Sequence, residues 1–281
     1  MIFSYFDDSS DDKREKHIAV GGIIGHEIWL NLFEGRWIEE TKDLEKPFRS
    51  TDCECQHGQF TEWEKPDCDA LMKRLVEVIA DENYGVGSFA FSVSVPLYRE
   101  VFPDSGQNDP VRLVVAHAIV EMARLAKKHE EKIQLWFEEG PFQSLINQTY
   151  IDFKALESWK WDERGRLSQI SFNDKNLIPL QAADLIAREG YKIADNHGRR
   201  PVRKPVLGIW NRMAMGWYTK DSLELLRTKG WPNDLEAVIS LPDNCYVQEK
   251  RHDGSQYLKT DTAAQGKPNA EKFLKRSKLT S

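Results

Sequence analysis

The sequence lacks the features that mark a membrane or secreted protein. No apolar run approaches the ~20 residues that a membrane helix needs, because Gly or His interrupts the longest candidates, 18–24 and 111–120. The N-terminal segment has neither a basic region nor a cleavage-site pattern, so no secretory signal is expected. We therefore expect a cytoplasmic protein without a membrane partner, and the sequence leaves its oligomeric state open.

Cysteine is scarce, and the four residues present do not form a paired disulfide framework. Reduced thiols fit an intracellular protein better. The spacing Cys53-x-Cys55-x-His57 is compatible with a soft metal, but a zinc site needs four ligands and no second pair is present. Incidental thiols in a loop are the favoured interpretation. A Walker loop and a GxGxxG motif are also absent, so these two nucleotide-binding signatures are excluded.

An overall excess of positive charge is missing as well. The chain has 39 Lys and Arg against 45 Asp and Glu, a net charge of −6. The segment 249–281 holds eight cations and four acids, so the rest of the chain carries −10. An acidic body is a poor general surface for nucleic acid. It remains compatible with a nucleic-acid enzyme that combines local basic patches with a carboxylate-rich metal site.

Strand and helix patterns alternate along the chain and predict an α/β fold. Two N-terminal strands joined by a turn-forming segment predict a hairpin. After a helical insertion at about 26–82, the order resembles βαβ units, so the strands beginning at residues 2, 133 and 167 should lie parallel in one mixed sheet with flanking helices. The predicted strands are 1–7, 17–25, 86–97 (half-exposed), 132–138 and 167–172. The predicted helices are 27–45, 67–82, 109–130, 141–157 and 178–195, and 46–66 is predicted to be a polar loop.

The predicted domain organisation is simple. Residues 1–248 are expected to form one domain that includes the insertion and, from about 196, a helical extension. Beyond about 248 the apolar residues thin out, so 249–281 is expected to be a flexible basic tail.

Three carboxylates stand out by their positions. Asp7 ends the first strand, and Glu138 ends the strand 133–137. Asp184 lies in the apolar helical segment 180–187 and should be at least partly buried. Burying an ionised carboxylate costs several kcal/mol unless it is paired or binds a metal. For Asp184 the alternative to a metal is an ion pair, with Arg188 as the nearest partner in sequence.

Asp7 and Glu138 should emerge at the same carboxyl edge if their strands are parallel neighbours, and open α/β sheets place their sites at that edge. Converging carboxylates repel one another, and a divalent cation removes that repulsion. Oxygen ligands suit Mg²⁺ or Mn²⁺, which support phosphoryl transfer. On repulsion alone, Asp184→Asn is expected to leave the fold intact or even to stabilise it. Considered alone, Asp7 can equally be a turn residue. Asp8 and Glu139 are the alternative ligands to Asp7 and Glu138, because neighbouring residues on a strand face opposite ways.

Five short motifs also occur in a particular order. They are Asp7-Asp8-Ser9, the Gly21-Gly22 strand, Phe137-Glu138-Glu139-Gly140, Asn173-Asp174-Lys175 and Leu180-Gln181-Ala182-Ala183-Asp184-Leu185-Ile186-Ala187. In this order and spacing they resemble a widespread prokaryotic family known only as the domain of unknown function number thirty-eight hundred. The resemblance covers roughly residues 2–195.

The resemblance implies an RNase H-like fold, with strand order 3-2-1-4-5 and the first and fourth strands adjacent. It also implies that Asp7, Glu138 and Asp184 form an acidic triad. Asp8 stands where the family usually has Glu. The segment 48–54 resembles a Phe-His segment of the family, but Arg49 stands where His is expected. Within this segment Asp52 and Glu54 are candidate further ligands, although a solvated acidic loop is the favoured interpretation.

A basic loop follows the Asp184 helix and is a candidate contact for a nucleic-acid backbone, the alternative being an exposed loop without a ligand. Its cations are Arg199, Arg200, Arg203 and Lys204. Trp210 and Trp217 are candidates for base stacking, although core packing is favoured for both. His117, on the long helix, is interpreted as a satisfied histidine and not as a catalytic base.

The sequence therefore predicts a metal-dependent phosphodiester hydrolase, in the first instance a nuclease, with Mg²⁺ or Mn²⁺ held by the triad. DNA and RNA are equally open as substrates. The alternative is a catalytically inactive module that binds nucleic acid or protein in a defence or mobile-element system. A hydrolase of another phosphate ester would share the metals but would not need the basic loop.

Overall fold

A computed structural model describes residues 1–196, 203–210 and 213–241, together with the backbone of 248–250 and 256–258. Its centre is a six-stranded mixed sheet with helices on both faces, in agreement with the predicted α/β class. The strands are β1 (Ile2–Ser10), β2 (His17–His26), β3 (Gly87–Ser94), β4 (Ile133–Glu138), β5 (Leu167–Asn173) and β6 (Met213–Trp217), and a separate pair is formed by β7 (Gln248–Lys250) and β8 (Gln256–Leu258).

Helices occupy most of the chain between the strands. They are α1 (Glu27–Thr41), α2 (Ser50–Cys55), α3 (Lys65–Ala80), α4 (Val95–Val101), α5 (Asp109–Lys128), α6 (Gln143–Ala155), α7 (Trp161–Arg164), α8 (Ile178–Asn196), α9 (Leu207–Trp210), α10 (Lys220–Thr228) and α11 (Glu236–Ile239).

The strands of the main sheet lie in the order β6-β3-β2-β1-β4-β5. The predicted hairpin is present, since β1 and β2 pair antiparallel, and β3 continues antiparallel to β2. As predicted, β1, β4 and β5 are parallel. The strand β6, parallel to β3 at one edge, was not predicted. The carboxyl ends of β1 and β4 are therefore direct neighbours, which positions the site described below.

Each face of the sheet is covered by its own apolar core. The core on one face includes α4, α5, α6 and α10, and the core on the other includes α1, α3 and α8. Both faces of β3 are buried from Gly87 to Val93, so the prediction of a half-exposed strand was wrong there. The misleading signal was the alternation of Phe with Ser, because Ser88 and Ser92 are buried as well.

The segment 46–66 was predicted to be a polar loop, but part of it is folded against α8. It contains α2 and a 3-10 turn, Gly58–Phe60. Three of its side chains, Phe48, Cys53 and Phe60, are fully buried. These anchors are too widely spaced for a periodic pattern, which explains why the sequence does not reveal them.

Of the region predicted to be a flexible tail, the structure describes only β7 and β8, which pair antiparallel. No helix in the described ranges is long and apolar enough to span a membrane.

His117 is fully enclosed, as its interpretation as a satisfied histidine requires. Its Nδ1 lies 2.5 Å from the Tyr218 hydroxyl, and its ring stacks on Phe91 with centroids 4.6 Å apart. Burial, with a smaller contribution from Arg124, lowers the pKa of His117 to about 3. Trp217 is also buried, in agreement with core packing.

The lowered pKa of His117 predicts that the folded protein loses stability in acid. Below pH 6.5 the unfolded chain takes up a proton at His117, whereas the folded protein does not until about pH 3. The free energy of unfolding should therefore fall by ~2 kcal/mol from pH 8 to pH 5 through this residue alone. His117→Asn should be less stable at pH 8 but should show a correspondingly flatter dependence in urea unfolding. An identical pH dependence in both proteins would contradict the assignment.

Candidate active site

Two of the predicted carboxylates lie side by side where β1 and β4 end. The pairing of Phe6 with Phe137 continues directly into Asp7 and Glu138. Alternation along β1 places Asp7 on the same face as Tyr5, the face that α8 covers. Asp7 is only 5% exposed, and Glu138 is half-buried beside it.

The third carboxylate reaches this edge because α8 packs unusually close to the sheet. A Cβ on Gly21 of β2 would lie 2.6 Å from Cα of Ala187, and a Cβ on Gly190 of α8 would lie 2.5 Å from Cβ of Ala90. Glycine is thus required on both surfaces of this contact. The close approach brings Asp184, near the N-terminal end of α8, to the ends of β1 and β4.

The three carboxylates converge on one ammonium group, that of Lys175. Lys175 Nζ lies 3.0 Å from Asp7 Oδ2, 3.1 Å from Glu138 Oε2 and 2.7 Å from Asp184 Oδ1. No two of these oxygens can therefore be more than about 6 Å apart. Lys175 itself is only 5% exposed. The structure thus brings the predicted triad together around a cation supplied by the chain.

The second oxygen of each carboxylate has a different partner. Asp7 Oδ1 accepts a hydrogen bond from the backbone N–H of Asp8 at 2.7 Å. Asp184 Oδ2 accepts one from the N–H of Ser50 at 2.6 Å. Glu138 Oε1 lies 3.7 Å from Nη2 of Arg49. The insertion therefore contributes directly to the site through Arg49 and Ser50.

The electrostatic surroundings shift the pKa values of Asp7 and Asp184 in opposite directions. Burial raises the pKa of Asp7 well above its usual value, and Asp184 and Glu138 add to this, although Lys175 opposes it. Burial also acts on Asp184, but Lys175 and Ser50, the latter through both its side chain and its backbone N–H, outweigh it and lower the pKa of Asp184. For Lys175 the cost of burial is exceeded by the three carboxylates, which raise the pKa of the ammonium. Lys175 is therefore held in its charged form.

Gln181 connects the elements that surround the triad. Its Oε1 accepts hydrogen bonds from Trp37 Nε1 at 3.0 Å and from the Phe48 N–H at 3.1 Å. Its Nε2 donates to the Lys175 carbonyl at 2.8 Å. One buried amide thus joins α1, the insertion and the loop before α8, and fixes the backbone of Lys175.

The alternate and additional ligands predicted from the sequence do not join the triad's contacts with Lys175. Asp8 follows Asp7 on the opposite face of β1, and burial raises its pKa. Glu139 is exposed. Asp52 lies at the wall of a cavity beside Lys175. Glu54 is paired elsewhere, 3.3 Å from Arg188 Nε. Asp184 does form an ion pair, which was the alternative to a metal, but its partner is Lys175 and not Arg188.

Of the predicted basic loop, Arg199 and Arg200 lie outside the described residues. Arg203 is engaged in two ion pairs, with Glu54 at 3.1 Å and with the buried Glu189 at 2.8 Å. Lys204 is exposed. Arg203 therefore cross-links the insertion to α8, a role that its sequence context did not indicate.

A cavity of about 300 Å³ opens beside Lys175. Its walls carry the cations Lys46, Arg49 and Lys175 together with the acids Asp52 and Asp174. Lys46 and Arg49 are exposed, so they are available to an anionic ligand entering from solvent. Cys53 and Cys55 do not form a metal pair here, since the Cys53 thiol is buried and donates to the Cys68 carbonyl at 3.5 Å.

The carboxylates are suited to a divalent cation in chemistry but not in their present spacing. In the described part of the chain, no group of three or more His, Cys, Asp or Glu residues forms a ready-made metal site. The triad oxygens lie 2.7–3.1 Å from the lysine nitrogen, whereas Mg²⁺ requires about 2.0–2.1 Å. A cation bound by all three carboxylates would need the position that Lys175 Nζ occupies.

Comparison with known proteins gives no relative. The chain matches no protein-family model, and no curated protein and no solved structure is significantly similar to it. The interpretation of the site therefore depends on its geometry.

Sequence reasoning missed Lys175, Gln181 and Ser50 as members of the site. The available signals were weak: Lys175 and Gln181 lie in motifs quoted above, but neither had a role. Ser50 contributes a backbone N–H, which no side-chain pattern reports.

Proposed function

We propose that this protein is a metal-dependent phosphodiester hydrolase that acts on a polynucleotide. The observation that carries the proposal is the convergence of Asp7, Glu138 and Asp184 on one cation position at the carboxyl edge of the sheet. Three carboxylates around one point are costly unless a cation is part of the site, a place that Lys175 fills in this structure, and carboxylate oxygens are also ligands that suit Mg²⁺ and Mn²⁺. This edge is also where open α/β sheets bind their ligands.

We also infer that the fold is RNase H-like, as the resemblance to the domain of unknown function number thirty-eight hundred implies. The order β3-β2-β1-β4-β5 of the first five strands supports this, with β6 as an addition beside β3. The antiparallel pairing of β1–β3 and the parallel pairing of β1, β4 and β5 support it as well.

In this proposal Asp7, Glu138 and Asp184 hold Mg²⁺ or Mn²⁺. A divalent cation bound there would lower the pKa of a water molecule and offset charge on the phosphate. Arg49, with its side chain 56% exposed, is placed to donate hydrogen bonds to a phosphate oxygen beside Glu138. The N–H of Ser50 and the close packing of α8 hold Asp184 in position.

Adjacent glutamates provide the direct test. Glu138→Gln should reduce Mn²⁺-dependent cleavage of labelled DNA and RNA oligonucleotides by at least about a hundredfold, because it removes a proposed ligand. Glu139→Gln changes the neighbouring exposed residue by the same atoms and should retain wild-type activity. Cleavage that persists in Glu138→Gln, or a wild type without cleavage in Mg²⁺ and Mn²⁺, would contradict the proposal.

The cations of the cavity predict how a polynucleotide binds. Lys46→Ala should lower the slope of log affinity against log salt for an oligonucleotide by about one unit, because one phosphate contact is lost. Hydrolysis of a small phosphodiester should be unchanged. Lys220→Ala is the control, since Lys220 begins α10, which packs on the face of the sheet opposite to α8 and the triad. An equal slope for wild type and Lys46→Ala would contradict a backbone contact at this residue.

The second candidate function is a catalytically inactive nucleic-acid-binding or protein-binding module. It is favoured by one observation, that Lys175 already neutralises part of the triad's charge. In that case oligonucleotide binding would persist in EDTA and no divalent cation would bind at the triad.

A further inference from the structure

The Lys175 ammonium has as many N–H donors as the triad has carboxylates. An ammonium group has three N–H donors, and each of the three carboxylates places one oxygen within 3.1 Å of Nζ. The other oxygens of Asp7 and Asp184 accept backbone N–H groups, and that of Glu138 faces Arg49. The point shared by all three carboxylates is thus the point that Nζ fills.

The backbone of Lys175 is fixed by hydrogen bonds, whereas the residue lies at the wall of an open cavity. Its carbonyl is held by Gln181, and the turn that contains it is closed by the Leu177 N–H donating to the Asp174 carbonyl at 3.1 Å. Lys175 also lines the cavity of about 300 Å³ beside the site. The backbone of Lys175 is therefore held in place, and the cavity provides open space next to the residue.

We propose that Lys175 is a tethered, displaceable cation. It occupies the divalent-cation position in the metal-free protein and moves into the adjoining cavity when Mg²⁺ or Mn²⁺ binds the triad. There the ammonium lies between walls that carry the acids Asp52 and Asp174 as well as the cations Lys46 and Arg49. This inference rests on the proposed function. Metal and ammonium exclude each other because they compete for the same three oxygens.

Manganese affinity tests the competition directly. Lys175→Met keeps the length of the side chain but removes the charge, and we expect it to bind Mn²⁺ at least tenfold more tightly than wild type in electron paramagnetic resonance titrations. Lys192→Met is the matched control. Lys192 also contacts carboxylates, those of Glu54 and Glu189, but none of the triad. Its Mn²⁺ affinity should equal that of wild type. Equal or weaker binding by Lys175→Met would overturn the inference.

Lysine labelling of the full-length wild-type protein tests the movement and needs no variant. In EDTA, Lys175 should resist an amine-acetylating reagent, because it is buried and engaged with three carboxylates. Saturating Mn²⁺ should raise its labelling at least tenfold, measured by peptide mass spectrometry, while the labelling of Lys192 stays constant. This measurement decides the question if Lys175→Met does not fold.

The outcomes separate this inference from the proposed function. Mn²⁺-dependent cleavage with Lys175 still protected would overturn the inference and leave the hydrolase proposal in place. Absence of Mn²⁺ binding to both wild type and a folded Lys175→Met variant would overturn both.

Discussion

Replacing Lys175 by Met is expected to lower the free energy of unfolding in EDTA by about 3–5 kcal/mol, the cost of removing one partner from a buried ion pair. Three carboxylates lose their common donor in this variant, and Asp7 and Asp184 are both largely buried. The methionine fills most of the volume of the lysine, so the loss reports electrostatics and hydrogen bonding more than packing.

Urea unfolding followed by circular dichroism measures this loss, and Lys192→Met calibrates it. Removing Lys192 leaves Glu54 paired with Arg188 and Arg203, and Glu189 paired with Arg203, so the control should lose less stability than Lys175→Met. Saturating Mn²⁺ should restore more stability to Lys175→Met than to wild type, because binding to the folded state adds to its stability. Equal losses in the two variants would show that the triad does not depend on Lys175.

The positions of the triad followed from the sequence because each obeys a local rule. Asp7 and Glu138 come directly after apolar runs, and parallel neighbouring strands end at one edge of a sheet. Asp184 interrupts an apolar helical segment, where a carboxylate must have a partner. These rules single out each carboxylate from its local pattern, whereas the adjacency of the first and fourth strands and the grouping of Asp184 with the other two were implied only by the family resemblance.

The sequence did not identify Lys175 as the partner of the triad, because that contact depends on where distant segments of the chain meet. Lys175 lies between Asp174 and Asn176 in a polar turn, a context typical of an exposed lysine, and only the convergence of β1, β4 and α8 buries it. The same limit applies to Glu54 and Arg203. One was a candidate ligand and the other a candidate phosphate contact, and each is engaged by the other across α8.

Local sequence patterns also failed to predict burial where the chain is covered by other elements on both faces. The serines of β3 suggested a solvent-exposed face, but α8 covers that face and α5 covers the other. The anchors Phe48 and Phe60 belong to a segment whose composition is that of a loop. In both places the tertiary packing overrides the local pattern.

Asp184→Asn should abolish metal-dependent cleavage, with a loss of at least about a hundredfold, since a proposed ligand is lost. Repulsion among carboxylates alone predicted an unchanged or more stable fold, and the structure reverses that expectation. Asp184 accepts from Lys175 with one oxygen and from the Ser50 N–H with the other. An asparagine amide offers one acceptor and one donor group, so an N–H would face one of these donors. In EDTA the variant should therefore lose about 1–3 kcal/mol of stability.

Asp52→Asn is the matched control for this loss, because Asp52 lines the neighbouring cavity and has no contact with the Lys175 ammonium in the ion pairs described above. It should retain wild-type stability and activity, whereas a loss of activity equal to that of Asp184→Asn would make Asp52 a fourth ligand. Stability is measured by urea unfolding in EDTA and activity by Mn²⁺-dependent cleavage of the same oligonucleotide. If Asp184→Asn were as active as wild type while losing stability, the carboxylate would serve the fold alone. Loss of stability in Asp184→Asn alone is what its contacts with Lys175 and Ser50 predict, and loss of activity in the same variant alone is what the proposed metal site predicts.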